Sequence, residues 1–229
     1  MSRIEITDRD VRIVKDIALS HVQSSSQTLA LYFSSVTRTN TRLRELRELG
    51  LLRKLDTPFF SQSLHMAGPE AQEIVGDRIS PLLAARTPSP RFLQHALTVT
   101  NARLNLFKRG AREWKFEPQL RTKFRYMGKE FEVRPDGLAV HAASVAVVEV
   151  DLGHVAPTKF LAKLQAFDAF IGSGACKAAW GVSTFTVLTL TTGPRRQGRL
   201  KALLPSGCRF AYKVSTLDEF GVQAPGNWS

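Results

Sequence analysis

The sequence predicts an α+β protein: a helical N-terminal module closed by a β-hairpin, then a mixed sheet with helices packed against it. Three observations carry this. Apolar residues recur at helical spacing from Val11 to Leu49. Val133-Arg-Pro-Asp-Gly-Leu-Ala-Val140 and Val147-Val-Glu-Val-Asp151 read as strands that deliver carboxylates. Beyond them strand and helix patterns alternate, as they do where a sheet carries flanking helices.

Thr7-Asp-Arg-Asp10 has the form of a capping box, and Val11, Val14, Ile17 and Ala18 predict a first helix to about His21. Gln23 to Ser26 breaks that pattern, and Ser26 can cap a short second helix carrying Leu29, Ala30 and Phe33. After Ser34-Ser35 a third helix is predicted over about 38–49, with Leu43, Leu46 and Leu49 inward and Gly50 at its end. Its other face holds Arg38, Asn40, Thr41, Arg42, Arg44 and Arg47. Leu51 to Leu55 and Phe59 to Met66 predict a hairpin around Asp56-Thr-Pro58, and Gly68-Pro69 opens another helix. Helix, short helix, turn, Arg-rich helix and hairpin is the order of a winged helix-turn-helix. Leu49-Gly-Leu-Leu52 with Ala67-Gly68 resembles the winged-helix pattern at the same places. A winged helix DNA-binding domain is therefore expected over 1–86. Arg and Asn suit guanine and adenine edges in the major groove, whereas Arg53 and Lys54 on the hairpin suit phosphates. Glu45 and Glu48 stand one turn from arginines and can pair with them.

Arg86-Thr-Pro-Ser-Pro90 is a Pro-punctuated joint and the expected boundary to a second domain over 87–229. A basic connector helix follows, Arg91 to about Arg109, with Leu93, Ala96, Leu97, Leu104 and Phe107 available to pack; His95 reads as a core histidine. From Arg103 to Lys129 nine Lys/Arg face only two acids, Glu113 and Glu117, with Trp114, Phe116, Phe124 and Tyr126 interleaved. Alternation there predicts strands with aromatics inward, and Arg121, Lys123 and Arg125 outward as a second phosphate-binding surface.

The whole chain carries 32 Lys+Arg against 20 Asp+Glu, a net +12 with pI near 10.2. That surplus points to a polyanion, double-stranded DNA ahead of a membrane surface. Leu138 to Val148, the longest weakly polar run, falls short of the roughly 18–20 apolar residues of a span. Met1 to Asp10 lacks the apolar region of a signal peptide. Cys176 and Cys208 fit neither a disulfide framework nor a zinc knuckle, so a cytoplasmic chain with reduced thiols is expected. Nothing resembles an acyl-transfer triad or a Gly-rich phosphate loop.

In the second domain Glu130 to Val140 and Val145 to Leu152 are predicted as neighbouring strands. A capped helix from about Pro157 to Ile171 follows, with Phe160, Leu161, Leu164, Phe167 and Ile171 toward the sheet. Then come a strand from Phe185 to Thr192, a helix from Arg195 to Leu204 and a strand from Cys208 to Val214. Asp136, Glu149 and Asp151 at adjacent strand ends can hold Mg²⁺ or Mn²⁺ through oxygen ligands.

Pro135-Asp136 followed by Glu149-Val-Asp151 resembles the core of the PD-(D/E)XK nuclease-like superfamily. The whole arrangement resembles the replication-relaxation family of plasmid and mobile-element proteins. The likeness runs through Leu49-Gly-Leu-Leu52, Ala67-Gly68, Phe92-Leu-Gln-His95, Arg134-Pro-Asp-Gly137, Val148-Glu-Val-Asp-Leu-Gly153, Lys163, Val187-Leu-Thr-Leu190 and Arg195-Arg196. The resemblance implies a winged helix joined to a degenerate nuclease-like domain. Active members of the superfamily carry a lysine two residues after the glutamate; Asp151 stands there in this chain, with Lys163 and His154 nearby. The expectation is a DNA-binding accessory or regulatory protein of a plasmid or mobile element, acting in replication, mobilisation or transcription control. Asp136, Glu149 and Asp151 would then be a structural remnant paired with Arg134 and Lys163. The alternative is a Mg²⁺- or Mn²⁺-dependent endonuclease in which those three acids are catalytic and hold the metal, with Lys163 as basic helper. A third reading is an adaptor whose second domain binds a relaxase or replication initiator. Homodimerisation on two half-sites stays open, without coiled-coil heptads to supply it.

Overall fold

The computed structural model describes residues 4–76, 88–204 and 206–225. It divides into two compact units, Met1–Leu104 with Ala224–Ser229, and Asn105–Gln223. The division falls within a helix, Pro90–Lys108. The expected boundary at Arg86-Thr87 lies outside the described residues.

The first unit contains α1 (Asp8–Leu19), β1 (Gln23–Ser24), α2 (Ser25–Tyr32), α3 (Val36–Glu48), β2 (Leu52–Leu55), β3 (Leu64–Ala67), a 3₁₀ turn (Pro69–Ala71) and α4 (Gln72–Val75). The Thr7–Asp10 capping box is formed, the Thr7 N–H donating to Asp10 Oδ2 at 2.8 Å. Ser24 rather than Ser26 caps α2, because Gln27 completes a second box by accepting from the Ser24 N–H at 3.1 Å. Ile13, Val14 and Ile17 of α1 pack with Leu43 and Leu46 of α3 and with Leu51, Leu52 and Ala67 of the hairpin. Leu49 packs at the edge, half-buried.

β3 is the middle strand of a three-stranded antiparallel sheet, β1-β3-β2. It begins at Leu64, not Phe59: Pro58 has no N–H for a ladder, and Phe59 is exposed in the intervening loop. Gly50 turns the chain after α3 at φ +69°, and Gly68 passes so close that a Cβ there would stand 2.1 Å from the Gly50 carbonyl oxygen. Only glycine fits at 68, which explains the paired glycine motifs.

α5 (Pro90–Lys108) leads to the second unit, which contains β4 (Glu113–Phe116), α6 (Glu117–Leu120), β5 (Thr122–Tyr126), β6 (Lys129–Val133), β7 (Gly137–Val140) and β8 (Val145–Asp151). There follow α7 (Pro157–Gly172), α8 (Ala175–Trp180), β9 (Thr186–Thr191), α9 (Pro194–Lys201), β10 (Ala211–Thr216) and α10 (Leu217–Phe220). A five-stranded mixed sheet runs β10-β9-β8-β7-β4, parallel from β8 to β10 and antiparallel from β8 to β4. The fold is α+β, with helices flanking a mixed sheet.

The strand expected from Glu130 to Val140 is two strands in different sheets. Among the described residues β6 pairs only with β5 in a separate ribbon, and β7 joins the main sheet. Pro135 breaks the ladder. Gly137 then restarts it where a Cβ would lie 1.9 Å from the Trp114 ring. The last strand begins at Ala211 rather than Cys208, in register with Thr186–Thr191. Phe160, Leu164, Phe167 and Phe170 of α7 pack on Leu138, Val147 and Val187 of the sheet. Helix α8 has no counterpart in the sequence pattern. It is six residues bounded by left-handed Gly174 and Gly181, and it seats Trp180 against Phe170 with ring centroids 4.6 Å apart. Among the described residues no helix is long and apolar enough to cross a membrane.

Candidate nucleic-acid interface and acidic site

α3 buries Thr39, Leu43 and Leu46. This leaves Arg38, Asn40, Thr41 and Arg44 exposed, with Arg47 half-buried. Because Ser35 caps the helix, α3 starts two residues earlier than expected and also presents Val36, 60% exposed, and Thr37. The serine pair before the helix was the available signal for those two.

Arg42 does not belong to this outer face. Its Nη2 meets the buried Asp10 carboxylate at 2.5 Å, its Nε donates to Asp10 Oδ1 at 2.8 Å, and its Nη1 pairs with Glu45 at 2.6 Å. Burial pushes the Asp10 carboxyl up, but the Arg42 and Thr7 hydrogen bonds outweigh it and hold it below the usual carboxylate range. Arg42 thus bolts α3 to α1. A second buried lock joins Arg103 to Asp16 at 2.7 Å, with Tyr32 donating its hydroxyl to the same carboxylate. Arg103, counted in the basic stretch, is buried.

On the hairpin Arg53 is half-buried and Lys54 exposed, the latter 3.7 Å from Asp56. Beneath them the buried His65 shares a 2.9 Å hydrogen bond with the Ser25 hydroxyl. Burial, then Arg47 and Lys54, pull its pKa down to about 4.

The β5–β6 ribbon turns Phe124 and Phe131 inward and Lys123 and Arg125 outward, as the alternation requires. The antiparallel register, however, sets Lys123 opposite Glu132 and Arg125 opposite Glu130. Arg121 pairs with Glu132 at 2.6 Å and Arg125 with Glu130 at 3.5 Å, all exposed. Arg121 is the main cause of the lowered Glu132 pKa.

In the acidic site Asp136 sits where Pro135 releases the chain; its Oδ2 accepts the Val150 N–H at 2.7 Å. Glu149 Oε2 is bonded by Lys163 from α7. Burial opposes the Lys163 charge, but Glu149 and Asp136 outweigh it and raise its pKa above the ordinary lysine value. Asp151 takes Arg196 of α9 at 2.6 Å, the Thr191 hydroxyl at 3.3 Å and the Gly153 N–H at 3.2 Å. So Asp136, Glu149 and Lys163 share one neighbourhood, while Asp151 is engaged toward α9. Arg134 pairs instead with Glu117, and His154 is exposed.

The partner that sequence reasoning missed is Arg196, 45 residues from its carboxylate. The donor set does not fit the Mg²⁺ or Mn²⁺ that the resemblance implies. Two of the three carboxylates are already matched by guanidinium and ammonium groups, and the third accepts a backbone N–H. Among the described residues no group of three His, Cys, Asp or Glu is arranged to hold a metal ion.

The pattern that defines the replication-relaxation family matches residues 14–186. No curated protein matches the chain. The crystal structure of protein VC1899 from Vibrio cholerae is 12% identical, with a TM-score of 0.32. That match covers 92% of this chain and 47% of the other, so this chain spans about half of that protein's length. With well over half its length matched by the family pattern, the chain belongs to the replication-relaxation family.

Proposed function

We propose that the chain is a sequence-reading, duplex-DNA-binding accessory or regulatory protein of a plasmid or mobile element, working in the cytoplasm. Membership of the family suggests a role in replication or mobilisation. The observation that carries the reading is the outer face of α3. Arg38, Asn40, Thr41 and Arg44 stand exposed on a helix whose other side is fixed in the core. In a winged helix that face enters the major groove, where Asn and Arg read adenine and guanine. Arg53 and Lys54 of the hairpin then meet phosphates. The second unit grips backbone or a relaxase or replication initiator, and two copies can span two half-sites. Labelled duplex from the protein's own locus, titrated against random duplex at moderate salt, tests it. Equal affinities remove the sequence-reading claim.

The second reading, a metal-dependent endonuclease using Asp136 and Glu149, would require Lys163 to release Glu149, which it engages in the structure. Supercoiled plasmid incubated with Mg²⁺ or Mn²⁺ decides between the two. Nicking that Asp136→Ala abolishes installs the endonuclease; plasmid left intact retires it.

A further inference from the structure

The second unit holds 18 Lys+Arg against 10 Asp+Glu, so eight of the twelve surplus charges lie there. Ion pairs absorb many of them: Arg121, Arg125, Arg134, Lys163, Arg196 and Arg209 all meet carboxylates. Arg195 and Arg199 do not. Both are exposed, and among the described residues neither forms an ion pair.

They line an open pocket of about 400 Å³ with Arg196, Thr192, Gly193 and Pro194, and no carboxylate is in its lining. The pocket lies just past the carboxyl end of β9, the end of parallel strands where open α/β sheets receive ligands.

Taken alone this arrangement is electrostatically unfavourable. Arg195 and Arg199 are like charges four residues apart on one helix flank, and such pairs repel. Arg195 and Arg196 also sit in the first turn of α9, which itself carries no acidic residue and where a helix favours anions over cations. Arg196 is held in place by Asp151 and by the Val155 carbonyl at 2.5 Å. One lining guanidinium is therefore fixed by an ion pair while, among the described residues, the other two form none, a set that an anion would relieve.

We propose that this pocket binds two adjacent phosphodiester groups of the nucleic-acid backbone, one held by Arg195 and one by Arg199. Guanidinium forks match phosphate oxygens two at a time, and an exposed pair on one flank can take adjacent phosphates. The site rests on the reading that the chain binds duplex DNA, but not on base reading by α3. It carries no sequence information, so it adds affinity equally for every duplex.

The experiment uses the full chain, wild type against Arg195→Ala/Arg199→Ala and Arg195→Lys/Arg199→Lys. Each is titrated with locus and random duplex across a range of salt. The alanine pair should make the slope of log K against log salt shallower by about 1.8, since each phosphate left without its cation removes roughly 0.9. The ratio of locus to random affinity should hold, the melting temperature should not fall, and the lysine pair should restore most of the slope. If wild type binds duplex and the alanine pair leaves its slope unchanged, the pocket is overturned while the α3 reading stands. A changed locus-to-random ratio also overturns it, because the arginines would then touch bases. If wild type binds no duplex at all, the DNA reading fails, and inorganic phosphate becomes the probe. Thermal stabilisation of wild type but not of the alanine pair keeps a phosphate site with a source other than DNA. No stabilisation overturns the site.

Discussion

The outer face of α3 and the β5–β6 ribbon both carry rows of basic side chains, and their surroundings differ. On α3 the acids that could neutralise the row either lie inside the module, as Asp10 does, or pair loosely, as Glu48 does with Arg44 at 3.7 Å. Arg38 and Arg44 therefore remain available. On the ribbon each outward cation of β5 stands across the ladder from a glutamate of β6. Nine bases against two acids between Arg103 and Lys129 have the look of a phosphate-binding stripe. The acids that count against it, Glu130 and Glu132, begin one residue after the stretch ends. Charge available to a partner depends on register as much as on number.

The largest expected effect tests the difference between buried and displayed arginines. Arg42→Ala leaves the Asp10 carboxylate buried without its guanidinium and should destabilise the fold by about 3 kcal/mol in urea melts. Arg44→Ala should leave the same melts unchanged within about 0.5 kcal/mol. Equal melting of the two variants would erase the distinction drawn on α3.

Acid should strike the same module. His65 titrates at an ordinary 6.5 when unfolded but near 4 when folded, so below 6.5 the unfolded chain takes up a proton that the native one refuses. Its stabilisation is complete above pH 6.5 and is lost as pH falls toward 4, on the order of 3 kcal/mol in all. Asp10, with its folded pKa below the ordinary 3.8, keeps its contribution through that window and loses it only further down. Urea midpoints measured from pH 7 to 4.5 should slope for wild type and flatten in His65→Gln. A flat wild-type profile would show that the imidazole is not held neutral.

Binding gives the next effect. Arg44→Ala should weaken the locus duplex by about 1–3 kcal/mol, the range of one bidentate base contact, with little change for random duplex. An equal loss on both duplexes would make Arg44 a backbone contact.

The smallest effect belongs to the ribbon. Lys123→Ala with Arg125→Ala should alter the salt slope by less than about 0.9, the value for a single phosphate. Glu130→Gln with Glu132→Gln should instead strengthen binding to every duplex by uncovering the cations. A large slope change in the first pair would return the ribbon to the interface.

Features set by neighbours in sequence were legible in advance. The Thr7–Asp10 box, the Leu43/Leu46 stripe, the Gly50 turn and the strand carrying Glu149 and Asp151 all depend on spacings of seven residues or fewer. What long-range geometry decides was not. Proline at 135 separates two sheets, and nothing local says that β6 leaves the main one. The Arg42–Asp10 bond spans 32 residues and the Arg196–Asp151 bond 45, so neither leaves a periodic trace. Of the acidic site, the carboxylates and Lys163 were visible as residue types at motif spacing, but the guanidinium that occupies Asp151 was not. Of α3, the outer face was visible except for Arg42, which shares its chemistry with its neighbours and differs only in what lies beneath it.

Arg196 and Lys163 have a consequence for descent. Each neutralises a carboxylate that is nearly inaccessible, Asp151 2% and Glu149 4% exposed at the side chain. A lineage that lost either cation alone would carry an uncompensated buried anion, at roughly 3–5 kcal/mol against a typical fold stability of about 5–15. Losing the acid alone strands the cation instead. The pairs can therefore be exchanged only together or not at all. Such coupled pairs resist change one substitution at a time, because either single step leaves a buried charge unmatched.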